Sequence, residues 1–257
     1  MESVTPPRHP CCIVSLVPSQ TELLHYLGLH DEVVGITKFC VHPSEWFQSK
    51  PRIGGTKTLN FEKIAALKPD LILGNKEENE RAQIEELQRH YKVWISDISN
   101  LPEALDMIRQ VGQLTGKTEQ AQTLSDKIET AFRALAEERA LKPMRAAYFI
   151  WRKPYMVAAA GTFIHDMMQR AGFENVFADL QRYPEIDLGA LAVAAPEAIL
   201  LSSEPYPFAE KHMAAFREVC PSARIEVVDG ELFSWYGSRL LHAPAYFRKL
   251  REMLGIV

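Results

Sequence analysis

The sequence has no cluster of basic residues and no long apolar run. Its 257 residues carry 29 Lys and Arg against 33 Asp and Glu, which gives a formal net charge of −4. A protein that grips a phosphate backbone needs a basic face, so this charge argues against a nucleic-acid partner. No apolar stretch approaches the ~20 residues of a bilayer-spanning helix, and we do not expect the chain to span a membrane.

The common catalytic signatures are also missing. The chain contains no nucleophile elbow, no Walker loop and no dinucleotide-binding glycine pattern. The segment Gly54-Gly55-Thr56-Lys57 is rich in glycine but lacks the spacing of a phosphate-binding loop. We therefore expect a binding protein that is not an enzyme, with an α/β enzyme as the less favoured alternative.

Cysteine is scarce, and its positions do not indicate disulfides. The four cysteines stand at positions 11, 12, 40 and 220, without a Cys-x-x-Cys motif. This pattern favours free thiols in a reducing compartment. The first ten residues include an acid at position 2 and three prolines but no apolar segment, which is unlike a secretory signal. The sequence as it stands predicts a cytoplasmic protein, or a periplasmic one if a signal was removed.

What the chain does contain is an alternation of short apolar runs and helical segments. This alternation predicts an α/β fold with mainly parallel sheets. The segment Ser19-Gln20-Thr21-Glu22 has the pattern of a capping box at a helix start. Apolar residues at helical spacing predict one long backbone helix over residues 102–142, between an N-terminal lobe (1–101) and a C-terminal lobe (143–257).

An internal similarity at an offset of 127 residues indicates that the two lobes have a similar build. Residues 61–73 and 188–200 match in their apolar positions, with Pro69 opposite Pro196 and Asp70 opposite Glu197. Each block predicts a helix, a turn of proline and acid, and a buried strand. Because ligands of open parallel sheets bind beyond the carboxyl ends of the strands, two such lobes facing each other predict a ligand cleft between them.

Residues that follow the predicted strands are the first candidates for ligand contacts. Asn75 follows the first repeated strand, and Glu204 and Tyr206 follow the second. Glu204 and Glu231 could accept hydrogen bonds from ligand amides or remain solvated acids. Rings at strand ends in both lobes would stack on a flat ligand, although each ring alone could serve packing. The aromatic residues in such positions are Phe39, Trp151, Tyr183, Trp235 and Tyr236.

Four further polar side chains have two interpretations each. Cys40 and His42 follow a predicted strand and could ligate a metal ion held in a bound ligand, or could simply pack within their loop. Arg152 and Arg239 could reach amide or carboxylate groups of a ligand, or could form surface ion pairs. The sequence leaves these alternatives open.

Three motifs carry a family resemblance. They are Pro18-Ser19-Gln20-Thr21-Glu22, the block of residues 60–72, and Gly172-Phe173-Glu174-Asn175-Val176-Phe177. They resemble the helical-backbone (class III) periplasmic binding proteins, most of all the cobalamin-binding members, and the resemblance runs from about Cys12 to Leu254. It implies two lobes joined by a long helix, with the ligand held between them. Siderophore and haem binders share this fold.

In the cobalamin-binding members, aromatic side chains of both lobes pack around the corrin ring. The resemblance places Phe39, Trp151 and Tyr183 at such positions. Thr56 and Asn75 stand where a tryptophan is expected, so the first-lobe wall is predicted to be more polar. The aromatic residues that would compensate from the second lobe are Trp235 and Tyr236.

Transport by such proteins requires docking on an ABC transporter permease through one surface glutamate per lobe. Glu62 matches the first of these positions, whereas Gly189 occupies the second, so docking is expected to be weaker. The predicted function is binding of a bulky planar metal chelate, with cobalamin or another corrinoid as ligand and not as catalytic cofactor. The alternatives are a siderophore or haem receptor, or a metal-ion receptor. The last would need several converging ligands, of which the strand ends offer His42 and little else.

Overall fold

The structure, a computed structural model, describes residues 9–138 and 142–255. The chain divides into two units. Unit 1 comprises the residues up to Asp97, Glu103–Lys127 and Tyr236–Arg239; unit 2 comprises Ile98–Pro102, Ile128–Trp235 and the residues from Leu240 onwards. None of the helices in the described ranges has both the length and the apolar content that crossing a bilayer requires.

Unit 1 contains a four-stranded sheet whose strands all run parallel, in the order β2-β1-β5-β6. A short antiparallel hairpin, β3–β4, lies outside this sheet. Fully buried side chains such as Val14, Ile64 and Ile72 form the core of unit 1. In chain order, its elements and the mid-chain helices are β1 (Ile13–Ser15), α1 (Pro18–Tyr26), β2 (Val33–Ile36), α2 (Ser44–Ser49), β3 (Gly54–Gly55), β4 (Thr58–Leu59), α3 (Phe61–Leu67), β5 (Leu71–Asn75), α4 (Arg81–Gln88), β6 (Val93–Ser96), α5 (Leu101–Thr115) and α6 (Thr118–Glu137).

Unit 2 is built around a sheet of mixed direction, in the order β10-β8-β7-β11-β12, with β9 also paired to β7. The strands β7, β9, β11 and β12 are parallel, whereas β8 and β10 form an antiparallel edge. The core includes Phe149, Phe216 and the buried thiol of Cys220. The elements are β7 (Met144–Trp151), β8 (Tyr155–Val157), α7 (Phe163–Arg170), β9 (Phe173–Asn175), β10 (Glu185–Ile186), α8 (Leu188–Ala194), β11 (Ala198–Ser202), α9 (Met213–Val219), β12 (Arg224–Val228), α10 (Glu231–Ser234) and α11 (Ala243–Met253).

These sheets confirm the predicted α/β class with mainly parallel strands in both lobes. The internal similarity corresponds to the helix–strand pairs α3–β5 and α8–β11. Asn60 and Asp187 cap the two helices, each accepting a hydrogen bond from the backbone N–H three residues later. Both helices end on a residue in the left-handed conformation, Lys68 (φ 48°) and Ala195 (φ 44°).

The acidic residue of each Pro-acid turn accepts backbone hydrogen bonds at the start of the neighbouring strand. The Asp70 carboxylate accepts the N–H groups of Cys11 and Cys12 at 2.9 and 3.1 Å. The Glu197 carboxylate accepts the N–H of Arg145 at 3.0 Å. In both units, therefore, the acid that precedes the second strand fixes the entry of the first strand beside it.

The start of α1 differs from the predicted capping box. The helix begins with Pro18 at its first position, so Val17 is the N-cap residue and Ser19 already lies inside the helix. The Glu22 carboxylate does not reach back to the helix start, because the Arg239 guanidinium holds both of its oxygens at 2.6 and 3.1 Å. Both side chains are largely buried. Of the two alternatives left open for Arg239, the structure thus shows an ion pair, which supports the fold of unit 1.

The mid-chain segment that the sequence predicted as one long helix consists of the two helices α5 and α6. Gly116 ends α5 in the left-handed conformation (φ +73°), and the Lys117 N–H then donates to the Gly112 carbonyl at 2.7 Å. A Cβ atom at Gly112 would lie only 2.3 Å from the Cβ of Ala121. The missing side chain at Gly112 thus allows the two helices to approach closely.

Both units share these helices, since the division between them passes within α6, after Lys127. The predicted lobe boundaries at residues 101 and 143 stay a prediction.

We expect Gly112→Ala to destabilise the protein by about 1–3 kcal/mol, because the added methyl group overlaps Ala121. An unobstructed helix would instead gain up to ~1 kcal/mol from the same change. Urea unfolding followed by far-ultraviolet circular dichroism measures the difference. The double variant Gly112→Ala/Ala121→Gly should regain part of the loss, and an unchanged or raised unfolding midpoint for Gly112→Ala would contradict the close approach.

Candidate functional site

Polar side chains lie buried beneath the carboxyl end of the unit 1 sheet. The Gln20 amide donates to Ser96 Oγ at 2.8 Å and to the Gly74 carbonyl at 3.1 Å. Thr21 Oγ1 lies 2.8 Å from Ser15 Oγ, to which it donates. These bonds join α1 to β1, β5 and β6 and hold this edge of the sheet in one arrangement. Gln20 Oε1 is buried and has no hydrogen-bond partner among the described residues. No sequence pattern singled out Gln20, because its hydrogen-bond partners lie more than 50 residues away in the chain.

Two of the predicted ligand contacts belong to a structural turn at this edge. Asn75 is 1% exposed, and its Oδ1 accepts the N–H groups of Glu77 and Glu78 at 2.8 and 3.2 Å. The Asn79 amide donates to the Thr56 carbonyl at 3.0 Å, and the Thr56 side chain is itself buried. Burial and these bonds argue against ligand contacts at Asn75 and Thr56.

The predicted metal ligands behave differently from each other. Cys40 is fully buried, and its thiol lies 3.1 Å from the hydroxyls of Thr21 and of Thr37. Burial raises the pKa of the Cys40 thiol despite these hydrogen bonds. A protonated, enclosed thiol is a poor metal ligand, so the structure argues against that prediction for Cys40. His42 is half-buried in the same loop and stays a candidate contact.

Phe39 provides apolar surface at the carboxyl end of unit 1. Its side chain is 50% exposed, and its ring packs on Gly55, where a Cβ would lie 3.1 Å from Phe39 Cε2. The ammonium group of Lys38 lies 5.0 Å from the ring centre. The ring therefore packs on Gly55 and under the Lys38 ammonium, while half of the side chain remains accessible.

A row of aromatic rings lies at the carboxyl end of the unit 2 sheet. Trp151, the last residue of β7, is 40% exposed, and its ring meets that of Tyr206 edge to face at 5.8 Å. Tyr206 in turn contacts the rings of Phe208 at 4.8 Å and His212 at 5.5 Å. The row continues into the core, since Phe208 also packs near Phe216. The structure thus brings together Trp151 and Tyr206, two of the predicted ligand contacts, above rings that belong to the core of unit 2.

Sequence reasoning missed His212, which no strand end or motif marked. Its Nδ1 accepts the Ala209 N–H at 3.0 Å, which leaves its proton on Nε2, 3.4 Å from the Tyr206 hydroxyl. Burial lowers the pKa of His212, and the positive charges of Arg152 and Lys211 lower it further. The imidazole is therefore neutral near pH 7 and serves to orient Tyr206.

Arg152 adds a donor beside the aromatic row. Its Nε atom is buried and lacks a hydrogen-bond partner among the described residues. The hydroxyl groups of Tyr206 and Tyr155 lie near the guanidinium and raise the pKa of Arg152 above its ordinary value. The side chain is permanently charged and half-buried, so it provides a fixed cation beside the aromatic row.

Two further predictions concern residues that the structure assigns to internal contacts. Trp235 is 7% exposed, and its indole N–H donates to Glu204 Oε1 at 2.9 Å, where the Ser234 hydroxyl also donates at 2.7 Å. Tyr236 is 4% exposed. Trp235 and Tyr236 therefore pack inside the fold, and they do not offer the accessible rings that the sequence predicted.

Tyr183 lies further from the carboxyl end than Trp151. It comes before β10, whose Ile186 is paired with Tyr155, and the neighbouring Arg182 carbonyl accepts the Ala159 N–H at 2.8 Å. Because β8 runs back from the end of β7, Tyr183 lies about three residues, or about 10 Å, behind the level of Trp151. The half-buried ring stays a candidate contact on the edge of the sheet.

An acidic depression adjoins the ends of β11 and β12. It has a volume of about 470 Å³ and is lined by Ser203, Glu204, Asp229 and Glu231, with Val227 and Val228 at its base. Its three carboxylates make this part of the edge negative, in contrast to the cationic side near Arg152. This arrangement could accept hydrogen bonds from several amide groups at once.

The two predicted docking positions are equivalent in the structure. Glu62 lies exposed in the first turn of α3, and Gly189 lies exposed in the first turn of α8. Both helices begin at a capped N-terminus of the same build, so the internal repeat extends to this surface. Only the first of the two positions carries a carboxylate.

Comparison with known proteins agrees with the resemblance noted in the sequence. A family model described as periplasmic binding protein matches residues 13–218. A vitamin B12-binding protein of Vibrio cholerae serotype O1 is 28% identical over 204 residues, which cover 78% of this chain and 73% of that protein. A vitamin B12-binding protein of Salmonella choleraesuis is 26% identical over 195 residues, which cover 75% and 72% of the two chains.

Solved structures show the same fold. The periplasmic vitamin B12 binding protein BtuF of Vibrio cholerae matches with a TM-score of 0.83 at 23% identity, covering 96% of this chain and 98% of that chain. The periplasmic heme-binding protein HutB of Vibrio cholerae matches with a TM-score of 0.77 at 21% identity, covering 93% and 97%. Because the family model spans most of the chain, the protein belongs to the periplasmic binding protein family, in its helical-backbone class.

Proposed function

We propose that the protein binds a bulky planar metal chelate, and that this ligand is a corrinoid such as cobalamin. The observation that carries the proposal is the exposed indole of Trp151, supported by Tyr206, with the charged guanidinium of Arg152 near the Tyr206 hydroxyl. A flat apolar face next to a fixed cation is suited to a large ring system with polar substituents. Relatives named as vitamin B12-binding proteins support the same ligand class.

The exposed rings can supply useful binding energy. A tryptophan buries up to ~250 Å², so the 40% of Trp151 that is exposed corresponds to about 100 Å². Covering that area would contribute about 2.5 kcal/mol, which is a factor of roughly 70 in affinity. Phe39 can add a similar amount. Part of this gain is lost to the cost of association.

The charges at the unit 2 edge favour a corrinoid over haem. The periphery of a corrinoid carries neutral amides, whose N–H groups the carboxylates of Glu204, Asp229 and Glu231 can accept. Haem carries two carboxylates, which those acids would repel. Arg152 is the observation that favours the alternative, since its guanidinium suits a carboxylate, and haem is therefore the second candidate ligand.

We propose no catalytic role, in keeping with a family of solute-binding proteins. Delivery to an ABC transporter permease would use Glu62, with a weaker contact at Gly189. The periplasmic relatives favour a compartment outside the cytoplasm over the cytoplasmic one predicted from the sequence. The predicted position of the ligand between the lobes stays a prediction.

We expect calorimetric titration to show tight binding of cyanocobalamin or cobinamide and weaker binding of haem. Trp151→Ala should weaken corrinoid binding at least tenfold because it removes the exposed indole, whereas Trp151→Phe should retain part of the affinity. Val193→Ala is the matched control, since Val193 is an 88% exposed apolar residue on α8. Equal affinities for Trp151→Ala and the native protein would remove Trp151 from the site, and a folded protein that binds neither corrinoid would overturn the proposal.

Salt dependence separates the two ligand classes. Cyanocobalamin is neutral, so its dissociation constant should change less than ~2-fold between about 0.05 and 0.5 M sodium chloride. Haem binding through Arg152 should weaken several-fold over the same range, and Arg152→Met should abolish that dependence. Tighter binding of haem than of either corrinoid, with this salt dependence, would establish the alternative ligand.

A further inference from the structure

Three side chains of unit 1 form a cluster that the proposed function does not use. His25 lies in the last turn of α1, His30 lies in the loop before β2, and Glu45 lies in the first turn of α2. One potential metal-ligating atom from each residue lies within 4.8 Å of the other two. Nε2 of His25 is 2.7 Å from Glu45 Oε1, and the two imidazole rings meet edge to face at 4.8 Å.

We propose that His25, His30 and Glu45 bind a divalent transition-metal ion of the zinc class. Two imidazoles and one carboxylate are a common ligand set for zinc, with bonds of about 2.0–2.2 Å. Tetrahedral ligands at that distance are about 3.4 Å apart, so the side chains need to move by only about 1 Å from the observed spacing. Water completes the coordination, because the His25 and Glu45 side chains are 31% and 66% exposed.

The tryptophan that packs beside both histidines supports this assignment. Trp46 is 3% exposed, and its ring stands nearly perpendicular to those of His25 and His30, at 5.1 and 5.8 Å. The Lys50 ammonium lies over the same ring at 5.2 Å and donates to the His30 carbonyl at 2.5 Å. Both imidazoles are thus packed against one rigid, buried ring, which limits the orientations of their nitrogen atoms. Such support from surrounding residues is typical of metal ligands.

The cluster shares no residue with the proposed ligand contacts of unit 1. His30 precedes β2 and so belongs to the amino ends of the parallel strands, whereas Phe39 and His42 follow β2 at the carboxyl ends. The metal-ion receptor that the sequence left as an alternative would use ligands such as His42 at the carboxyl ends of the strands, and His42 is not part of this cluster. The proposed ion is therefore additional to the chelate ligand, and neither site depends on the other for its residues.

A bound ion would add a further link between three segments that already contact one another through His25, His30 and Trp46. It would link the end of α1, the loop that leads into β2, and α2, which follows the loop carrying Phe39 and His42. Because the unfolded chain does not present these ligands together, binding would stabilise the folded state according to the free ion concentration. A rise in the melting temperature is thus an expected second readout.

The experiment is calorimetric titration of the full chain with zinc chloride, repeated with cobalt(II) chloride and read by visible absorption. The cysteine pair Cys11 and Cys12 could bind the same ions, so Cys11→Ser/Cys12→Ser is the background for all variants. We expect one zinc ion per chain, a cobalt spectrum without thiolate charge-transfer bands, and a raised melting temperature. His25→Gln, His30→Gln and Glu45→Gln should each weaken zinc binding at least ~10-fold.

The matched control is His90→Gln. His90 lies 3.5 Å from the carboxylate of Glu86, but no second imidazole among the described residues completes this pair as a set of metal ligands. His90→Gln should leave zinc affinity unchanged. Circular dichroism checks that each variant is folded, and Glu45→Gln, at an exposed position, keeps the test valid if a histidine variant unfolds. The proposal is overturned if the native protein binds no zinc, if the three ligand variants bind as tightly as the background, or if His90→Gln weakens binding equally.

Discussion

Neighbouring parallel strands all begin at the same end of the sheet, and the arrangement of both units depends on this constraint. Each step from one strand to the next requires a crossover, which the helices provide, and the crossover has to end where the next strand can start. Asp70 and Glu197 act at these starting points, since each accepts N–H groups at the beginning of the strand next to its own. Their carboxylates align the central strand pair, and the position of every later loop follows from that alignment.

The same constraint brings the loops at the carboxyl ends together, but the two units use that edge differently. In unit 1, amide and hydroxyl groups such as those of Gln20, Asn75 and Ser96 are hydrogen-bonded to one another beneath the surface, and Phe39 provides the exposed apolar area. In unit 2, the rings of Trp151 and Tyr206 lie at the edge itself, which also carries the guanidinium of Arg152 and the carboxylates of the acidic depression. The polar character expected of the first lobe is thus real, but its polar groups serve the protein's own structure.

The sequence was informative wherever a local pattern decides the outcome. The matching blocks gave the helix, turn and strand in both units, because proline, acid and apolar spacing act within a few residues. It was misleading where a distant partner decides the role of a side chain. Glu22 forms an ion pair with Arg239, which lies 217 residues away in the chain, and the buried indole of Trp235 donates a hydrogen bond to Glu204. The place of Trp235 after a predicted strand indicated an accessible ring. The direction of a side chain, however, depends on packing that no short motif contains.

The two buried cysteines have a consequence for how each unit can be observed. Cys40 lies in the core of unit 1 and Cys220 in the core of unit 2, and burial raises the pKa of both thiols. Only a thiolate in contact with solvent reacts readily with an alkylating reagent, so the fully buried Cys40 is protected until the part of unit 1 around it opens. Cys220 is 8% exposed and lines a depression at the surface, so smaller movements suffice to expose it. The labelling rate of Cys40 therefore reports how often unit 1 opens, and the rate of Cys220 reports local movements of unit 2.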